Sequence, residues 1–130
     1  MIARHVLTIL AVADLAEAVA FYDRAFGWAK AVEVPVYVEY RLPGGQRLGL
    51  YQREGFARNT GVLPGRVGAG AITATEIYLH VDDVEAAVAA VTAAGGRPLS
   101  GLSLRDWGER AAYFADPDGN VVVVSTADDG

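Results

Sequence analysis

The segment "EIYLHV" at 76–81 alternates polar and apolar residues, so Glu76, Tyr78 and His80 share one face of a strand and Ile77, Leu79 and Val81 the other. A buried Glu76 would have its pKa raised and could act as a general base toward a substrate proton within hydrogen-bond reach. His5, the other of two histidines, shares parity with Leu7 and Ile9. By the same alternation Tyr37, Glu39 and Arg41 fall on one face of "YVEYR", and Arg47, Gly49 and Tyr51 on one face of "RLGLYQ". Trp107 and Tyr113 add two more aromatic groups. Aromatic area with a few charges suits a flat or amphipathic organic ligand. Glu39 with Arg41 or Arg47 reads equally well as a cross-strand ion pair, tyrosines pack on sheets for their own sake, and His5 reads as a strand-end histidine near solvent.

Composition narrows the chemistry. The 130 residues, 52% of them hydrophobic, suffice for one domain with its own core. With 11 Lys and Arg against 16 Asp and Glu, the net charge is −5, and no basic run builds a phosphate-tracking surface, so nucleic acid is not an expected partner. The absence of cysteine removes disulfides, thiolate zinc sites and a cysteine nucleophile; any metal would need His, Asp or Glu. The start, "MIARHVLTILAVADLAEA", imitates a secretory signal, but His5 and Thr8 interrupt a run too short to span a bilayer. It reads as a buried strand, in a cytoplasmic protein with no membrane partner.

The positioning elements come in two copies. A shift of 69 residues lays "VADLAEAVAFYDRAFG" (12–27) on "VDDVEAAVAAVTAAGG" (81–96), with seven of 16 pairs identical. Each copy reads as strand end, cap, helix and stop. Asp14 caps the first helix, with Glu17 placed for a capping box and Gly27 for the left-handed stop. Asp82 or Asp83 caps the second, which ends at Gly95-Gly96. Three alternating segments follow each helix, with turns at Pro43-Gly44-Gly45 and Asp116-Pro117-Asp118-Gly119. The expectation is an α+β fold of two βαβββ modules, 1–52 and 73–126, joined by a Gly-rich loop over 53–72. Such a long aperiodic loop suits a lid or mobile wall.

The paired modules, the "FYDRAFG" helix end and the closing "FADPDGN" hairpin together resemble the vicinal oxygen chelate superfamily, which includes glyoxalases, bleomycin resistance proteins and extradiol dioxygenases. The resemblance implies a curved mixed sheet around a cleft, with Glu76 central in it and Tyr78, His80, Tyr37, Glu39, Arg41, Arg47, Tyr51, His5, Trp107 and Tyr113 on ligand-facing positions. It implies subunits that pair as a homodimer to complete their clefts. Metal-binding relatives take ligands from the first and last strand of each module, and the matching residues here are Leu7, Gly49 (or Tyr51), Glu76 and Val123. That set holds one carboxylate, too few for a divalent ion, so no cofactor is expected. A displaced set of His5, Glu76 and His80 is the remaining route to a metal. The function implied is a metal-free binder of an antibiotic or metabolite, of the bleomycin-resistance type. The alternative is an enzyme, a glyoxalase-like lyase, isomerase or dioxygenase with a displaced metal or with Glu76 as its base.

Overall fold

The computed structural model describes residues 1–126. Each copy forms the expected unit. Module one contains β1 (Leu7–Val12), α1 (Leu15–Ala25), β2 (Ala29–Val34), β3 (Tyr37–Arg41) and β4 (Arg47–Gln52). A short α2 (Arg53–Thr60) follows, and module two contains β5 (Glu76–Val81), α3 (Val84–Ala93), β6 (Arg97–Leu104), β7 (Arg110–Ala115) and β8 (Val121–Thr126). The strands form two four-stranded mixed sheets, ordered β1-β4-β3-β2 and β5-β8-β7-β6. In both, the first strand runs parallel to the last and the inner pairs are antiparallel. The register is also shared: Ile9 faces Gly49, and Tyr78, 69 positions on from Ile9, faces Val123.

The helices begin where the cap chemistry places them. Asp14 accepts a hydrogen bond from the Glu17 N–H, and Asp83, of the two candidates, from that of Ala86. Gly27 and Gly95 take positive φ just beyond the two helices. α1 packs on α3, and both lie against the sheets. One core joins the modules, with Leu10, Val12, Tyr40, Leu48 and Leu50 from the first sheet and Phe114, Val122 and Val124 from the second around Phe21, Tyr22, Val84 and Val91 of the helices. Alternation then turns the opposite face of each sheet outward.

The Asp116–Asn120 turn locks the modules together. The Asp116 carboxylate is buried and fully used: Oδ1 accepts from the N–H groups of Asp118 and Asn120, Oδ2 from the Tyr22 hydroxyl at 2.7 Å and the Asn120 side chain. Asp118 accepts from the Ala13 N–H at 2.8 Å, where β1 passes into α1. Burial foremost, then the Asp116 charge, pushes the Tyr22 hydroxyl well above its ordinary pKa, so it stays a donor.

The segment 53–72 differs from the loop expected of it. Its first eight residues form α2, ended by Gly61 at φ 81°. Gly55 and Asn59 hide that helix from propensity arguments, yet glycine suits the spot, because a Cβ at Gly55 would lie 2.6 Å from the Tyr51 ring. The rest is tied down at several points. Arg53 donates to the Pro64 carbonyl, Arg97 to that of Ala71, and Thr73 bonds Gly119 and Asn120 of the turn. A cavity of about 310 Å3 remains under it, lined by Arg53, Arg66, Arg97 and Asp118 among others.

Tyr22→Phe leaves Asp116 short of one donor in a buried place. It is expected to lower stability by about 1–3 kcal/mol in urea unfolding, and Asp116→Ala, which strands four donors, by more.

Candidate functional site

On the outward face of the first sheet, β1 places Leu7, Ile9 and Ala11 beside Arg47, Gly49 and Tyr51 of β4, and these beside Arg41, Glu39 and Tyr37 of β3. Glu39 is buried there, only 5% exposed, and both its oxygens are engaged. Oε1 accepts from the Tyr37 hydroxyl at 2.7 Å and Oε2 from Arg47 at 3.0 Å. The Tyr37 hydrogen bond first, then that of Arg47, holds its carboxyl below the usual range. Glycine at 49 makes this possible: a Cβ there would lie 2.8 Å from Tyr37 Cε1, so the floor space it leaves is filled by Tyr37 itself. Tyr51 meets Tyr37 edge to face with centroids 5.1 Å apart. Arg41 is exposed at the end of the strand.

On the second sheet, Glu76, Tyr78 and His80 of β5 lie beside Val121, Val123 and Ser125 of β8, and these beside Ala115, Tyr113 and Ala111 of β7. Val123 is fully buried in a small cluster with Ala111 and Val121, over which Tyr113 packs. The Arg105 guanidinium lies 4.8 Å from the centroid of that ring. At the far end a polar chain runs across the surface: Trp107 Nε1 donates to the Tyr78 hydroxyl at 2.7 Å, Tyr78 donates to Glu109 Oε1, and His80 Nε2 meets Glu109 Oε2 at 2.8 Å. The Tyr78 hydrogen bond foremost, together with the His80 charge, keeps the Glu109 carboxyl below its ordinary range.

The residues expected to face a ligand thus fall into two groups, one on each sheet, and no hydrogen bond or ring contact among the described residues joins the two. Glu76 is exposed beside Tyr113, so within one chain it lacks the burial that a carboxylate base requires. His5 bonds Thr8 at 2.9 Å while His80 bonds Glu109, and among the described residues no three His, Asp or Glu side chains converge. The shared register makes Gly49, rather than Tyr51, the counterpart of Val123. Glu109 joins this face without having been among the expected site residues, although its parity with Ala111 and Tyr113 places it on their side.

Two βαβββ modules with matching registers, each presenting one outward sheet face, define a class of paired-module α+β proteins. The chain belongs to the Glyoxalase/Bleomycin resistance protein/Dioxygenase superfamily, whose family model matches residues 3–124. Among solved structures, it is similar to a glyoxalase-related enzyme from Fulvimarina pelagi, with 23% identity, 96% of this chain and 88% of that one covered, and a TM-score of 0.82. A glyoxalase/bleomycin resistance protein/dioxygenase family enzyme from Burkholderia phytofirmans PsJN has 19% identity, 95% and 98% coverage and a TM-score of 0.80. A lactoylglutathione lyase from Agrobacterium tumefaciens has 25% identity, 94% and 92% coverage and a TM-score of 0.70. No curated protein matches the chain. Among the described residues, no helix is long and apolar enough to cross a membrane.

Two outcomes follow from the first sheet. Gly49→Ala displaces the Tyr37 ring and breaks its bond to Glu39; calorimetric or urea unfolding is expected to register a loss of about 1–3 kcal/mol. Because the Glu39 pKa is lowered in the folded state, its contribution is complete above the ordinary value of 4.5 and disappears as pH falls through the lower folded value. Glu39→Gln is therefore expected to flatten the acid side of the stability–pH curve.

Proposed function

We propose that this protein is a small-molecule binder of the bleomycin-resistance type, taking a flat aromatic or amphipathic antibiotic or metabolite in clefts completed by a second copy of the chain. The observation that carries this reading is the outward turn of the two sheet faces. α1 and α3 fill the space between the sheets, so the faces bearing Tyr37, Tyr51, Tyr78, Trp107 and Tyr113 do not meet within one chain. Ile9, Val32 and Val34 remain exposed at 37%, 37% and 48% on the first sheet, and Trp107 at 55% near the second. A homodimer that lays one face against the other type would bury this surface, enclose aromatic walls, and place the Glu39–Arg47 pair and Glu76 where they fix orientation.

A resident divalent metal does not fit this chain. The family's ligand positions supply Leu7, Gly49, Glu76 and Val123, a single carboxylate, and two of the four are occupied by packing: Tyr37 lies on Gly49, and Val123 is sealed under its neighbours. Elemental analysis of protein purified without chelators is expected to give no stoichiometric transition metal; finding one would favour the enzymatic alternative with a displaced site.

The binding reading is tested by intrinsic fluorescence. Trp107 lies on the face, so a bound aromatic compound is expected to change its emission, and Trp107→Phe to remove that part of the response. Silence across a broad panel of antibiotics and aromatic metabolites would remove the reading's main support. Sedimentation of a monomer at micromolar concentration would remove the second copy from it.

A further inference from the structure

The polar chain on the second sheet is more ordered than a solvated surface needs to be. His80 and Trp107 are about half exposed and water can reach them, yet Trp107, Tyr78, Glu109 and His80 bond to one another in series. Fixing four large side chains costs rotamer entropy, and an exposed ion pair returns little for it. What the series does achieve is orientation. Tyr78 holds Glu109 Oε1, leaving Oε2 to the imidazole, and Glu109 remains ionised. A carboxylate at Nε2 fixes the neutral ring as the Nε2–H tautomer, which leaves the Nδ1 lone pair free to accept a proton; the same carboxylate then steadies the imidazolium.

His80 also lines a cavity of about 530 Å3, formed within one chain where β5 approaches the end of α1 and the β3–β4 turn. Phe26, Trp28, Leu42 and Pro43 give it apolar walls, and Asp82, His80 and Tyr78 are its ionisable groups. The size suits a molecule of one or two rings.

We propose that His80 and Glu109 form an acid–base dyad serving this cavity, with a conjugated, apolar carbon acid as the substrate class and a double-bond shift as the reaction. His80 Nδ1 takes the proton as the C–H bond breaks, and the electron pair passes into the conjugated system. The same Nδ1–H then returns the proton to a different carbon. The step is complete in atoms and electrons with no oxidant, reductant or co-reactant. Glu109 takes no proton and is a positioning residue, as is Tyr78. The proposal does not depend on the binding reading above, because the cavity and the dyad both lie within one copy of the chain.

The test uses the intact protein and 5-nitrobenzisoxazole, a flat carbon acid. Loss of its C3 proton breaks the ring N–O bond and releases a coloured cyanonitrophenolate. The wild-type protein is expected to accelerate this over buffer, and His80→Ala to lose roughly 100-fold or more of that acceleration. Glu109→Gln is expected to lower kcat about tenfold or more with little change in KM, as for a residue that acts through His80. A wild-type rate no greater than that of His80→Ala overturns the proposal. An independent arm needs no substrate: 15N NMR is expected to show His80 protonated at Nε2 in its neutral form, with that preference lost in Glu109→Gln. A tautomer population that Glu109→Gln leaves unchanged overturns it as well. Both residues are at the surface and outside the core, and circular dichroism confirms that each variant is folded.

Discussion

The buried Asp116 carboxylate is the constraint around which the two modules are arranged. An ionised group taken out of water is tolerated only when its oxygens are met by donors, and the four donors here come from its own turn and from Tyr22, 94 positions away on the helix of the other module. Tyr22 is itself fully buried, so neither group can leave without stranding the other. Asp118 adds a second tie to Ala13, and within module one Gln52 braces the same corner, accepting from the Leu15 N–H and donating to the Ala13 carbonyl. The β1–α1 corner of one module and the β7–β8 turn of the other are therefore fixed relative to each other. With them is fixed the choice that both helices lie between the sheets.

That choice decides what kind of site the chain can have. Had the sheet faces been turned inward, Glu76 and the tyrosines would form a closed pocket within one chain. With the helices between the sheets, each chain presents two outward faces, one carrying Tyr37, Tyr51, Glu39 and Arg47, the other Tyr78, Trp107, Tyr113 and Glu109. A binding site made from both faces requires a second copy, while chemistry confined to one face does not.

Much of this was legible in the sequence because it rests on local rules. The 69-residue repeat, the cap at Asp14 and an acidic cap at 82–83, the stops at Gly27 and Gly95 and the face parity of β3, β4, β5 and β8 all depend on neighbours within a few positions. What escaped has a non-local cause. α2 forms from residues of weak helix preference because it packs on Tyr51, with Gly55 allowing the approach. The space left by Gly49 reads as open until the Tyr37 ring is seen lying in it. Asp116 reads as an ordinary turn residue, and nothing within four positions of it discloses Tyr22. Glu109 opens the alternating segment "ERAAYFA", but which partners it meets depends on Tyr78 and His80 of a distant strand.

Two of the three departures from the ligand pattern of metal-binding relatives also have a common physical sense. Gly49 and Val123 occupy equivalent places in equivalent registers, at the middle of the last strand of each module. Around each, the space has been closed by packing, by a tyrosine ring over Gly49 and by an apolar cluster around Val123. Around these closed centres lies one ion pair on each face, Glu39 with Arg47 and Glu109 with His80. A centre that is apolar and a margin that is polar and oriented is the arrangement by which a surface takes an aromatic body and reads its substituents. Restoring a single ligand, such as a carboxylate at 123, would bury a charge among Ala111, Val121 and Tyr113 with no partner, at a cost that the rest of the face has no means to offset.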